Sequence, residues 1–132
     1  MNIDFKEFEK ALEVLSEFLP PTPLIKNDWL SSKYGANIYL KLENLQPVGS
    51  FKLRGATNKI ASLPDDEKKR GVLAVSAGNH AQGVAWAAKK FGVKATIIMP
   101  KPSPLVKILN TESLGAEVIL EGENVDESFE FG

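Results

Sequence analysis

Gly49-Ser50-Phe51-Lys52-Leu53-Arg54-Gly55-Ala56 places a lysine where helix electrostatics would not choose one. Ser50 reads as an N-cap, and the apolar spacing Leu53, Ala56, Ile60, Leu63 predicts a helix running on from it. Lys52 and Arg54 then fall in the first turn, at the positive end of the helix dipole, with no acid beside them in sequence. A free lysine amine titrates near about 10.4, and a positive local field or a dry site lowers that value. The neutral amine so produced attacks carbonyls and forms Schiff bases. Taken alone, the same lysine also fits the exposed face of an amphipathic helix.

A second segment, Ser76-Ala77-Gly78-Asn79-His80-Ala81-Gln82-Gly83, lies between an apolar strand and the helix after it. In an open parallel sheet, ligands bind beyond the carboxyl ends of strands, where a following helix N-terminus favours anions. Ser76 offers a hydroxyl, Gly78 a backbone that a ligand can approach closely, and Asn79 an amide that both donates and accepts. An Asn or Ser cap after a glycine turn explains the same residues without any ligand, and the lone histidine, His80, suits a structural role equally. Gly78 and Gly83 have the spacing of a P-loop pair, but Val84-Ala85 follows instead of Lys-Ser or Lys-Thr. No GxGxxG run is present, and the carboxylates form no metal-binding cluster.

The elements that must position these residues are legible in outline. Asp4 caps a first helix, with Glu7 at the capping-box position and Phe5, Phe8, Leu12, Leu15 and Leu19 at helical spacing before Pro20-Pro21. A short helix over 28–34 ends at Gly35, and alternation over 37–43 predicts a strand with one buried face. Asn44 to Gly49 is the turn that delivers the chain to the Lys52 helix, and 65–70 is a charged, solvated connection. Beyond Gly71, three nearly continuous apolar runs at 72–75, 95–99 and 118–120 predict parallel strands covered on both faces. A helix over 80–91, stopped by Gly92, and another with Ser103 as N-cap and Pro104 at its first position link them into a βαβαβ series. The fold class is therefore α/β, a parallel sheet of βαβαβ units flanked by helices. Two parts are expected, 1–66 with the lysine helix and 67–132 with the βαβ series. Asn124 opens a last helix that is cut short at Gly132, so the chain is expected to stop partway through an architecture.

With 132 residues, 43% apolar and 25% charged, the composition is that of a globular chain able to bury a core. A formal net charge of −1 gives no reason to propose nucleic acid or an anionic membrane as partner. The absence of cysteine rules out disulfides and thiolate metal sites. No apolar run reaches the roughly 18 residues of a membrane span, and the acidic start is unlike a signal peptide, so a cytoplasmic location is expected.

The lysine segment followed by Ser76-Ala77-Gly78-Asn79-His80 closely resembles the fold type II pyridoxal-phosphate enzymes, whose architecture is that of tryptophan synthase β. Within that group it is similar to the threonine (serine) dehydratase and serine racemase branch. Thr22-Pro23-Leu24, the run Lys41-Leu42-Glu43-Asn44-Leu45-Gln46-Pro47-Val48-Gly49, and Met99-Pro100-Lys101 extend the resemblance from about residue 20 to the end. The resemblance implies pyridoxal 5′-phosphate as cofactor, joined to Lys52 as a Schiff base, with Lys52 later acting as base at the substrate α-carbon. It implies Phe51 beside the cofactor ring, Asn79 on the 3′ oxygen of the pyridoxal, and Ser76, Ala77, Gly78, Asn79 and His80 around the substrate carboxylate. It further implies a small amino-acid substrate, a homo-oligomer in the intact enzyme, a place in amino-acid metabolism, and loss of the β-hydroxyl of threonine or serine to give a 2-oxo acid and ammonia.

Racemases of the branch carry a second serine directly after the position of Ser76; here Ala77 stands there, and a methyl group shuttles no proton. Dehydration is therefore expected over racemisation. The family's glycine-rich phosphate loop is not in this chain, whose ten glycines include no adjacent pair. The expectation is the amino-terminal part of a longer enzyme, or a truncated product that holds the cofactor weakly; an inactive α/β module and an anion-binding domain using only the 76–83 turn are the rival readings.

Overall fold

The computed structural model describes residues 4–132, so the first three residues of the expected 1–66 part lie outside it. Helix α1 (Phe5–Phe18) starts at Asp4, whose carboxylate accepts from the Lys6 amide at 3.2 Å. Only half of the capping box forms, because the Glu7 side chain pairs with Lys10 at 2.7 Å instead of reaching back. The apolar stripe is likewise only half used. Leu15 and Leu19 are buried against Leu53, whereas Phe5, Phe8 and Leu12 remain exposed.

Strand β1 (Leu24–Lys26), absent from the sequence reading, pairs antiparallel with β2 (Tyr39–Lys41), with Ile25 opposite Leu40. Three residues of the expected 37–43 strand remain; the Leu42 amide still donates to the Pro23 carbonyl at 3.0 Å, and Glu43–Leu45 then turns into a short 3-10 helix. Between the strands, α2 (Asp28–Tyr34) has the expected bounds. The Asn27 side chain caps it by accepting from the Leu30 amide at 2.8 Å, and Gly35 closes it in the left-handed conformation at φ +62°.

Helix α3 (Lys52–Ala61) is followed by α4 (Asp65–Arg70), in the stretch expected to be a solvated connection. Its charges explain the helix. Asp65, Asp66 and Glu67 fill the first turn and Lys68, Lys69 and Arg70 the last, matching the helix dipole, and Arg70 meets Asp66 at 2.9 Å.

Strands β3 (Val72–Val75), β4 (Ala95–Met99) and β5 (Glu117–Leu120) form a parallel sheet in the order β3-β4-β5. Helix α5 (Asn79–Phe91) connects the first pair and α6 (Leu105–Ser113) the second. Only β4 is covered throughout; Leu73 on β3 and Leu120 on β5 are exposed, which corrects the expectation of three buried strands. Helix α6 begins one residue later than expected. Pro104, with ψ 129°, is the extended cap, and the Ser103 hydroxyl donates to the Pro100 carbonyl at 2.6 Å. Helix α7 (Val125–Phe131) packs on β3 and β4 behind its Asn124 cap, which accepts from the Glu127 amide at 3.0 Å.

The core is built on α5. Ala81, Ala85, Ala87 and Ala88 are almost wholly buried between α3 and the sheet, meeting Ala56 and Ile60 on one side and Ile97 and Met99 on the other. Small side chains let both neighbours approach the α5 backbone closely. Among the described residues, no helix is long and apolar enough to cross a membrane, and no group of three or more His, Asp or Glu is placed to hold a metal.

Candidate active site

The lysine segment folds differently from its sequence reading at one point. Helix α3 starts at Lys52 with Phe51 in the cap position, and no side chain caps it. Ser50 does not serve as N-cap: it is buried, and its hydroxyl has no protein partner. The Lys52 side chain is exposed, with Nζ 5.4 Å from the centre of the Phe51 ring, itself 60% exposed.

Arg54 is not an unpaired cation, as its local sequence suggested. Glu43, from the 3-10 turn, takes Arg54 Nε on Oε2 and Nη2 on Oε1, both at 2.8 Å. The Thr22 hydroxyl donates to Glu43 Oε1, and Gln46 Nε2 lies 3.4 Å from Oε2. Arg54 above all, then Thr22 and Gln46, hold the Glu43 carboxyl down to about 2, against a desolvation that opposes them. Sequence reasoning missed this group, although Thr22, Glu43 and Gln46 all lie in the segments that flank the lysine motif. The contact is long-range in sequence and carries no periodic signal.

Beyond β3 the chain turns through Ser76, Ala77 and Gly78, all partly buried. The Ser76 amide extends the sheet by donating to the Ile98 carbonyl at 3.0 Å, and its hydroxyl accepts from the Gly78 amide at 3.2 Å. Helix α5 then opens at Asn79 with Gly78 as a cap that has no side chain, so the first-turn amides face outward unanswered by any capping group. Asn79 Oδ1 lies 3.5 Å from Lys107 Nζ on α6.

Close packing of α3 on α5 unites the two segments. A Cβ built on Gly83 would lie 3.2 Å from the Lys52 carbonyl carbon and 3.3 Å from the Leu53 nitrogen. Asn79 is one turn before Gly83, on the face of α5 that meets the first turn of α3. His80 falls on another side. It lines a groove of about 380 Å³ with Gly55, Ala56, Lys59 and Val84. The structure thus packs the helix that Lys52 opens against the helix that Asn79 opens, with the 76–78 turn leading into the latter and His80 lining a groove between α3, α5 and β3.

The donor set fits the carbonyl and ring end of an aldehyde cofactor: an exposed primary amine at a helix start, an amide one turn from its backbone contact, and an uncapped helix N-terminus. It offers no glycine-rich cradle for a phosphate, since no two of the ten glycines adjoin.

An α/β protein with a lysine at the start of a helix that packs on the first crossover helix of a parallel sheet is the class that fold and site define. The family model described as "Pyridoxal-phosphate dependent enzyme" matches residues 15–132, and the chain belongs to that family. It is 54% identical over 128 residues to the L-threonine ammonia-lyase of Thermotoga maritima, an alignment covering 97% of this chain and 32% of the relative. A catabolic L-threonine dehydratase of Staphylococcus aureus is 48% identical over 127 residues, with 96% and 37% covered. Among solved structures, maize serine racemase superposes with a TM-score of 0.93 at 30% identity, covering 99% of this chain and 40% of that one. The processed form of threonine deaminase isoform 2 from Solanum lycopersicum gives 0.84 at 38% identity, with 97% and 37% covered. The chain spans about a third of the length of the curated relatives it matches.

Proposed function

We propose that these residues are the amino-terminal, lysine-bearing part of a pyridoxal-phosphate-dependent enzyme that dehydrates and deaminates L-threonine or L-serine to a 2-oxo acid and ammonia. The observation that carries it is the exposed Lys52 side chain at the uncapped start of α3, whose main chain lies against Gly83 of α5, the helix that Asn79 opens. Identities of 54% and 48% to proteins named for threonine deamination support the substrate class.

Lys52 Nζ would be the amine that holds the cofactor, and it would take the proton from the substrate α-carbon. Phe51 would flank the cofactor ring, and Asn79 would donate to its ring oxygen. The first-turn amides of α5 and the Ser76–Gly78 turn hold the substrate carboxylate. When bound, pyridoxal phosphate supplies the electron sink that makes an α-proton removable. Ala77 presents only a methyl group on this turn and so moves no proton, which favours elimination of the β-hydroxyl over racemisation. His80, turned toward the other groove, contributes to the turn through its backbone.

On the same reading, 1–66 belongs to a cofactor domain and 67–132 to a substrate-side domain, and the whole enzyme is a cytoplasmic homo-oligomer. The shared core of Ala56 and Ile60 with α5 makes the division one of topology more than of separate cores.

The test is reductive trapping: the chain is incubated with pyridoxal phosphate, treated with borohydride and digested for peptide mass analysis. The pyridoxyl label is expected on Lys52 in preference to the other lysines, and to vanish from that peptide in Lys52→Ala, whose fold is otherwise retained. Label spread evenly over the exposed lysines would overturn the assignment.

A further inference from the structure

A helix start is ordinarily fixed by a side chain folded back onto its free amides, and α3 has none. What holds its first turn is a fork. The Arg54 guanidinium and the Glu43 carboxylate meet through two parallel bonds of 2.8 Å, which set rotation as well as distance between the 3-10 turn and the helix.

We propose that Glu43 is a positioning residue for Lys52, acting through Arg54 to fix the direction in which the lysine leaves α3. The proposal rests on the reading of Lys52 as the cofactor-bearing lysine. Glu43 is itself held, because Thr22 donates to Oε1 while the Thr22 carbonyl accepts from Lys41 Nζ. Thr22, two residues before β1, the 3-10 turn and the first turn of α3 are thereby tied at one carboxylate, with Lys41 at the end of β2 bonded to the Thr22 carbonyl.

The pair is no ordinary surface salt bridge. Side-chain exposure is 18% for Glu43 and 29% for Arg54, against 68% and 71% for Arg70 and Asp66 on α4. An exposed pair is screened and spends its attraction on ordering two long side chains, whereas a sheltered, doubly bonded pair keeps a defined geometry. Its place matters as much as its strength. Gly83 meets the Lys52 backbone from α5, and the Glu43 fork grips the same turn from the β1–β2 side. The lysine backbone is thus located from two directions while its amine stays free.

Reductive trapping with pyridoxal phosphate tests this on the chain as it stands, comparing the share of label on Lys52 in the unaltered chain, Glu43→Gln, Arg54→Lys and the control Arg70→Ala. Glu43→Gln keeps shape and removes the charge; Arg54→Lys keeps charge and removes the fork. Both are expected to lower the Lys52 share by about tenfold, the ratio equivalent to one charge-assisted hydrogen bond, while Arg70→Ala leaves it unchanged. Melting curves run in parallel separate positioning from stability. A lower melting temperature with an undiminished Lys52 share in the folded protein overturns the proposal. Should Glu43→Gln not fold, Arg54→Lys decides alone by the same share. Absence of any Lys52 preference in the unaltered chain refutes the reading on which the proposal rests, a result distinct from a preference that both variants retain.

Discussion

Gly83 on α5 lies against the backbone of Lys52 on α3, with only 3.2 Å between the position of a missing Cβ and the lysine carbonyl carbon. The neighbour is main chain, so it cannot rotate aside as a flexible side chain would. Alanine at 83 gains about 0.8–1 kcal/mol of helix propensity, whereas overpacking a tight contact costs about 1–3 kcal/mol. The second effect is expected to win. Gly83→Ala should lower stability by about 1 kcal/mol in urea unfolding and reduce pyridoxyl labelling of Lys52, because the displaced backbone is the lysine's own. An equally stable or more stable variant would show that the two helices are free to part.

Stability should depend on pH through Glu43. The folded carboxyl is held down to about 2 from an ordinary value of 4.5, so the folded state favours the charged form more than the unfolded chain does. The contribution is whole above about 4.5 and drains away as pH falls toward about 2. Urea midpoints of the unaltered chain and Glu43→Gln should therefore differ at neutral pH, close progressively below about 4.5 and converge only as pH approaches about 2. A gap that stays constant down this range would contradict the pairing with Arg54.

Thr57 offers a stability test independent of the site. Its side chain is fully buried in α3, and Oγ1 has no protein partner. A buried hydroxyl without a bond costs free energy, and valine has nearly the same shape and helix propensity. Thr57→Val is expected to stabilise the chain by about 1 kcal/mol, read as a higher unfolding midpoint. A destabilised variant would mean that the hydroxyl has a partner, such as an ordered water.

What the sequence made legible follows from how far each signal travels along the chain. Helices α2, α5 and α7 announce themselves through caps a few residues away: Gly35 and Gly92 in the left-handed conformation, and Asn124 bonded to Glu127. Strands β3, β4 and β5 were legible as short apolar runs, although only β4 is covered throughout. Misreadings arose where a residue's partner lies far off in sequence or where two local rules compete. Ser50 has a capping side chain, yet Phe51 takes the cap position, and the hydroxyl is left without a partner. Ser103 yields to Pro104 because the proline holds the extended conformation that a cap needs. The charged run 65–70 folds as a helix because acids precede bases, an order that composition alone conceals.

The site divides along the same line. Lys52 and Asn79 stood out by residue type and setting, and each opens one of two helices that pack together at Gly83. That Gly83 is what brings them together was not readable, since a missing side chain gives no signal until its neighbour is known. The Glu43 fork was equally silent, as no periodicity links a 3-10 turn to the helix beyond it.

The alanines of α5 carry one further consequence. Ala81, Ala87 and Ala88 have no exposed surface, and the helix they belong to separates the lysine helix from the sheet like a shim of fixed thickness. Divergence in this chain therefore has unequal room. The exposed charges of α4 can be exchanged or reordered at little consequence for the site, whereas a single added methylene on the inner faces of α5 alters the spacing on which the lysine and strand end depend. Change that leaves this gauge untouched has to enter from the rim, where the 79–80 end of α5 and much of α6 are exposed.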